Sequence, residues 1–203
     1  MIAVLDYGIG NLRSAQKGLQ RMAGPDSDVR LVTTPAEADG ATGVVLPGVG
    51  AFGRCMAALR SSGLDTVAKG AVAAGIPFLG VCVGMQMLFD GSDEDPDAAG
   101  LGLLPGRVRL LPEGVKRPQI QWNQLHLVDS GHPLFTGIAE GAWVYFVHSY
   151  APVTDAGVIA TTDYGGSVVA AVADGPVWAT QFHPEKSGAI GLKLLANFAA
   201  AAR

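Results

Sequence analysis

The chain has 203 residues, with 14 Lys or Arg against 18 Asp or Glu and a formal net charge of −4, which argues against the basic footprint of a nucleic-acid binder. Its 49% hydrophobic and 16% charged residues supply material for a core and exclude the composition of a disordered chain. Two cysteines, Cys55 and Cys82, are too few for a secreted disulfide scaffold, and no uninterrupted apolar stretch reaches the roughly 18 residues of a membrane span, so a soluble, unprocessed, cytoplasmic protein is expected.

Ile2-Ala3-Val4-Leu5 reads as a buried strand, and after Gly8-Ile9-Gly10, Asn11 can cap a helix whose apolar stripe is Leu12, Ala15, Leu19 and Met22. Val29-Arg30-Leu31-Val32 is a second strand, followed by Thr34-Pro35-Ala36-Glu37, which has capping-box spacing with Pro at the first helical position. Gly43-Val44-Val45-Leu46 predicts a third strand, residues 51–59 and 64–74 helices, and residues 77–81 a fourth strand running into Cys82 and a helical stretch over 85–89. Strands alternating with helices imply a parallel sheet with helices on both faces.

Beyond Gly106 the pattern favours strands, over 108–111, 143–148, 157–160, 168–172 and 177–182, the last two joined by an Asp174-Gly175 turn. Ile190, Leu194, Leu195 and Phe198 mark a closing helix. The segment 91–100 carries Asp93, Glu94, Asp95 and Asp97 without a basic residue and reads as an exposed loop. The expected architecture is one α/β domain over 1–203, its mixed sheet parallel at the centre and antiparallel at one side.

The sharpest local feature is Gly80-Val81-Cys82-Val83-Gly84, which has the layout of a nucleophile elbow with Cys in place of Ser. A strand-to-helix turn eased by small residues would expose the thiol, and the helix N-terminus would stabilise a thiolate and aim the Val83 N–H at a developing oxyanion. Burial as a packing residue is the plain alternative. For Cys55, on a helical pattern with Phe52, Met56 and Leu59, packing is the favoured reading.

A cysteine nucleophile needs a base, and His126, His132, His148 and His183 are available. His183 ends a strand and is followed by Pro184 and Glu185, so a carboxylate two residues on can hold the ring in one tautomer. His148, in Phe146-Val147-His148-Ser149-Tyr150, suits substrate contact, and His126 and His132 read as loop residues.

Gly48-Val49-Gly50-Ala51-Phe52-Gly53 matches G-x-G-x-x-G, yet the next strand ends in Cys82 rather than an acidic residue, which argues against a dinucleotide site. The loop is better used to bring a second oxyanion N–H towards Cys82. His183-Pro184-Glu185 lacks the downstream C-x-x-C of zinc deaminases. Asp93, Asp95 and Asp97 imitate an EF-hand start, but Ala98 and Leu104 occupy the required Gly and Glu positions. No metal and no cofactor is implied.

Asp6-Tyr7-Gly8-Ile9-Gly10-Asn11-Leu12, Pro47-Gly48-Val49-Gly50-Ala51-Phe52, the cysteine elbow, Trp122-Asn123, the His148-Ser149-Tyr150 segment and Gln181-Phe182-His183-Pro184-Glu185-Lys186-Ser187 together resemble the class I glutamine amidotransferases. More closely, they resemble the glutaminase subunits of imidazole glycerol phosphate synthase. That resemblance implies a flavodoxin-like fold and a Cys82-His183-Glu185 triad that hydrolyses L-glutamine to glutamate and ammonia. It implies oxyanion donors at Val83, Val49 and Gly48, glutamine contacts at Gln86, His148, Ser149 and Tyr150, and a heterodimer with a (βα)8-barrel cyclase subunit of histidine biosynthesis near Asn11, Trp122, Tyr145 and Lys186. The cyclase would use the ammonia to make imidazole glycerol phosphate and an aminoimidazole carboxamide ribotide. If the 47–50 loop turns a carbonyl towards the thiol in the isolated chain, activity is expected to depend on that partner.

Two departures from the family pattern stand out, Val83 where Leu often follows the nucleophile and Pro118-Gln119-Ile120-Gln121-Trp122-Asn123 where Pro-His-(Ile/Met)-Gly-Trp-Asn is common. The glutaminase of another synthase, such as that of pyridoxal phosphate, and a non-catalytic binding subunit are the alternatives.

Overall fold

The computed structural model describes residues 1–25 and 27–203. In chain order its elements are β1 (Ile2–Leu5), α1 (Leu12–Ala23), β2 (Val29–Val32), β3 (Gly43–Gly48), α2 (Phe52–Ser61), α3 (Leu64–Ala73), β4 (Phe78–Cys82) and α4 (Val83–Gln86). There follow β5 (Gly91–Ser92), β6 (Asp95–Ala99), β7 (Arg107–Leu110), β8 (Gln119–Gln124), β9 (His126–Leu127), β10 (Trp143–His148) and β11 (Tyr150–Val153). The chain closes with β12 (Val158–Asp163), β13 (Ser167–Asp174), β14 (Val177–Thr180) and α5 (Gly188–Ala201).

The main sheet runs β2-β1-β3-β4-β14-β13-β12-β9. β2, β1, β3, β4 and β14 are parallel, and β13, β12 and β9 continue the sheet antiparallel. Every residue of β1, β3, β4 and β14 is buried, as strands covered on both faces require. The order reverses between β1 and β3. Right-handed crossovers leaving in opposite directions put α1 on one face and α2 with α3 on the other, and the crevice lies at the C-terminal strand ends. α5 packs on α1, where Gly18 makes room, since a Cβ there would sit 2.8 Å from Leu195 Cδ1.

Three expectations are corrected, and one strand is new. The capping-box sequence forms one 3-10 turn, Pro35–Ala38, and the Glu37 carboxylate accepts from the N–H and hydroxyl of Thr33 rather than Thr34. The helical stretch over 85–89 stops at Gln86, because Leu88 N–H bonds Met85 O and Phe89 N–H bonds Gln86 O, i to i−3 contacts that tighten the chain into a turn. Residues 91–100 are not a loop but the β5–β6 hairpin of a second sheet, ordered β11-β7-β5-β6. Arg107 bridges Asp93 at 2.5 Å and donates to Ser92 O, while the Glu94 carboxylate accepts from Phe52 N–H at 2.8 Å. Finally, β8, which the polar Gln119–Gln124 sequence does not announce, pairs antiparallel with β10 as a separate ribbon.

Candidate active site

Cys82 ends β4 at φ 55, ψ −115, and is the only non-glycine with positive φ among the described residues. Such backbone costs about 1–3 kcal/mol and persists only where the surroundings impose it. The surroundings here are Gly80 and Gly84: a Cβ at Gly84 would fall 1.8 Å from Leu46 O, and one at Gly80 3.1 Å from Gly84 O. The turn is thus pressed against β3 at a distance only glycine allows. α4 has four residues, so stabilisation of a thiolate falls to local N–H groups more than to a helix dipole.

β14, beside β4, stops at Thr180 rather than at the expected 182, and His183, three residues on, caps the 3-10 turn Pro184–Lys186. Its Nδ1 lies 2.7 Å from Glu185 Oε1, with the side chains 2% and 5% exposed. Nδ1–H donates to the carboxylate, which leaves the buried Nε2 uncommitted beside Cys82. Burial opposes a charge on this ring, but the sulfur of Cys82 and the carboxylate of Glu185 outweigh it and push its pKa up to about 10. The turn is tied to the ribbon: His183 N–H donates to Tyr145 O, the Ser187 hydroxyl donates to His183 O, and Tyr145 N–H donates to the Ser187 hydroxyl.

A cleft of about 620 Å³ opens over the thiol, a size that suits a small ligand. Cys82, Val83, Val49, Gln86, His148, Ser149, Tyr150 and His183 line it, as do Asn11 and Lys186 at its rim. Gly48 lies deeper, beside Val49 and Val81, and pairs with Cys82 across the sheet. Trp122 and Tyr145 are paired on the β8–β10 ribbon with rings edge to face at 6.1 Å, and Lys186 Nζ sits 5.9 Å from the Tyr145 ring centroid. His148 Nδ1–H donates to Tyr150 O at 2.8 Å. Its pKa is lowered to about 4, first by burial and further by nearby His183, against the pull of that carbonyl.

Gln86 lines the cleft with its Nε2 serving Tyr150 O and Gln181 Oε1, each at 2.9 Å. Sequence reasoning missed Gln181 and Glu94. Gln181 Nε2 donates to Cys82 Sγ at 3.8 Å, completing a relay from Tyr150 through Gln86 to the thiol. Glu94 lines the cleft while receiving the first N–H of α2, so a carboxylate stands where a dinucleotide fingerprint would hold a phosphate. Only the position of Gln181 beside the His-Pro-Glu segment hinted at its place, and nothing local marked Glu94. Gln119, opposite His148 in the ribbon, is fully buried and its amide has no protein partner, whereas Gln121 is exposed.

His126 and His132 lie elsewhere, His126 on Glu140 at 3.0 Å and His132 accepting from Leu134 N–H. Cys55 is buried, as a packing residue should be, and its thiol also donates to Val49 O at 3.2 Å. Among the described residues no group of three His, Cys, Asp or Glu side chains could hold a metal ion.

A thiol on a strained elbow, beside an imidazole fixed by a buried carboxylate, can carry out acyl transfer through a covalent thioester. The family profile of glutamine amidotransferase class-I matches residues 3–202. The chain belongs to the class I glutamine amidotransferases. Among its relatives in this family, the imidazole glycerol phosphate synthase subunit HisH of Synechococcus sp. (strain JA-3-3Ab) is 51% identical, over 97% of this amidotransferase and 92% of that protein. The subunit of the same name from Dehalococcoides mccartyi (strain ATCC BAA-2266 / KCTC 15142 / 195) is 50% identical, over 98% and 96%. A solved glutamine amidotransferase superposes on this one with a TM-score of 0.74 at 22% identity, covering 99% of this chain and 98% of the other, so the fold is shared where the sequences have diverged. No helix of the described residues is long and apolar enough to cross a membrane.

Proposed function

We propose that this chain, acting as one domain over 1–203, is the glutaminase subunit of imidazole glycerol phosphate synthase. His183 Nε2 takes the thiol proton as Cys82 Sγ attacks the side-chain amide carbon of L-glutamine and the C–S bond forms, and the same Nε2–H then protonates the departing nitrogen. The C–N bond breaks to release ammonia, then water, deprotonated by His183, cleaves the glutamyl thioester to glutamate and restores the thiol. Glu185 holds the imidazole throughout. The N–H groups of Val83 and of the Gly48-Val49 segment receive the oxyanion.

His148, Ser149 and Tyr150 meet the amino-acid head of glutamine, with Gln86 shaping that wall through its bond to Tyr150 O. Glu94, the acidic side chain lining the cleft, offers a countercharge to the α-ammonium. The partner is the cyclase subunit, docked at the rim formed by Asn11, Trp122, Tyr145 and Lys186. There it takes ammonia to make imidazole glycerol phosphate and the aminoimidazole carboxamide ribotide of histidine biosynthesis. Both cysteines are free thiols, which suits the cytoplasm.

The observation that carries this reading is the pairing of whole-length 51% identity with the strained Cys82 at φ 55 next to the 2.7 Å His183–Glu185 pair. Its test is glutamate release from glutamine by the chain alone and with the cyclase and its ribotide ligand, with Cys82→Ala as the blank. Stimulation that disappears in the blank, by at least about 10⁴-fold, is expected. If the partner gives no stimulation while a glutamine-like electrophile still labels Cys82, the glutaminase chemistry stands and the synthase is a different one.

A further inference from the structure

Two side chains outside the triad converge on the Pro47–Gly50 segment from its buried side. Tyr7, just beyond β1, donates its hydroxyl to Pro47 O at 2.7 Å, and Cys55, on the first turn of α2, donates its thiol to Val49 O at 3.2 Å. Tyr7 is 6% exposed and Cys55 is fully buried. Hydroxyl and thiol lie within reach of each other, and burial raises the pKa of both, so each stays protonated and able to donate.

The segment needs holding. Val49 stands between two glycines, and Gly50 sits at φ +91, so side-chain sterics do little to decide which way the peptide planes of the segment face. A planar trans peptide directs C=O and N–H oppositely. Turning Val49 O towards Cys55 therefore aims Gly50 N–H away from α2, and turning Pro47 O towards Tyr7 aims Gly48 N–H away from that ring. Gly48 itself is confined, since a Cβ there would lie 2.7 Å from Gly84 N and 3.0 Å from the Tyr7 hydroxyl. Alternate carbonyls of the loop are thus drawn to the protein interior by two neighbouring donors, and the intervening Gly48–Val49 peptide, which carries the Val49 N–H, is confined between two held planes behind the elbow of Cys82.

We propose that Tyr7 and Cys55 form a latch that sets the peptide orientation of the oxyanion segment 47–50, which makes Cys55 a positioning residue for glutamine hydrolysis. With both carbonyls held inside, neither can swing into the cleft, where it would repel the tetrahedral oxyanion instead of stabilising it. The proposal rests on the glutaminase reading above. The triad does not depend on the latch, because Glu185 and His183 reach the cleft from β14.

The test uses the complex with the cyclase subunit and three variants, Cys55→Ala, Cys55→Ser and Tyr7→Phe. The latch predicts that Cys55→Ala and Tyr7→Phe each lower kcat for glutamate release about tenfold, a fraction of the roughly 10²–10³ that an entire oxyanion donor supplies, with KM within about twofold of the parent. Cys55→Ser, which keeps a donor, should stay within about threefold in kcat. Alkylation of Cys82 by iodoacetamide, located by peptide mapping, needs no oxyanion hole and should be unchanged in all three. Amide exchange at Val49 and Gly50 should speed up about tenfold in the Ala and Phe variants. Unchanged kcat in folded Cys55→Ala and Tyr7→Phe, or equal losses in Cys55→Ala and Cys55→Ser, would overturn the latch in favour of packing alone. Absence of glutamate release by the parent complex would instead overturn the assigned reaction and the latch's role in it, and amide exchange would still report whether the loop is held.

Discussion

The cleft is walled by two regions built on opposite plans. On one side β3 and β4 are buried along their whole length and end in Gly48 and Cys82. On the other, the β8–β10 ribbon buries Val144, Phe146 and His148 but leaves Ile120 58%, Trp122 46% and Trp143 52% exposed. The nucleophile sits on backbone that the core cannot release, whereas the side chains proposed to face a partner stand on a two-stranded element with one wet face. Two-stranded ribbons have little stability of their own, so this wall can answer docking without disturbing the nucleophile.

The largest effect expected is that of Glu185→Gln, on the turn that joins the ribbon to the nucleophile's side, which keeps the shape but removes the negative charge that fixes the His183 tautomer. It should lower kcat for glutamate release about 10³-fold with little change in thermal unfolding. A loss shared equally by kcat and stability would show that Glu185 holds the fold and not the ring.

On the ribbon side the sharpest handle is pH. His148 has its folded pKa lowered to about 4, so the unfolded chain binds a proton that the folded chain refuses. Its contribution is present above the unfolded value near 6.5 and lost as pH falls from there through about 4, on the order of 3 kcal/mol in all. His183 is displaced the other way, to about 10, and its contribution is full below about 6.5 and lost as pH rises through about 10. Urea titrations of the parent and of His148→Gln should therefore differ only on the acid limb, and coincident acid limbs would remove His148 from the argument.

A smaller effect is expected at the ribbon's outer face. Trp122→Ala should reduce cyclase-stimulated glutamate release about tenfold, the weight of an aromatic anchor in an interface, and leave the unstimulated rate within about twofold. Equal loss in both would put Trp122 in the fold of the ribbon. The smallest compares two thiol-free variants at the elbow. Cys82→Gly should be about 1 kcal/mol more stable than Cys82→Ala, because only glycine adopts positive φ without strain. Equal stability would mean the elbow is less strained than its dihedrals imply.

The contrast also explains what could be read from sequence. β1, β3 and β4 are uninterrupted apolar runs and the β13–β14 hairpin carries Asp174-Gly175, so each was visible locally. β8 was not, since five of the six side chains of Gln119–Gln124 avoid full burial and its strand character comes from pairing with β10. The segment 91–100 hides its strands for a related reason: what organises its acidic residues is remote in sequence, Arg107 on one side and the Phe52 N–H on the other. At the site, Cys82, His183 and Glu185 announced themselves because their chemistry is packed into a pentapeptide and a tripeptide. Glu94, Gln181 and Tyr7 reach the cleft or its loop only through folding, and no spacing rule finds them.

His183 and Glu185 share one covalent turn, and that turn is fastened to Tyr145 by hydrogen bonds on both sides. Base and carboxylate therefore travel as one rigid cassette, while the sulfur stays with β4. Any tug on the ribbon would widen or narrow the gap between nitrogen and sulfur and, with it, weaken or strengthen the sulfur's hold on the imidazole proton, while the Glu185 contact stays fixed. Turnover and the acidity of the base are wired to one lever.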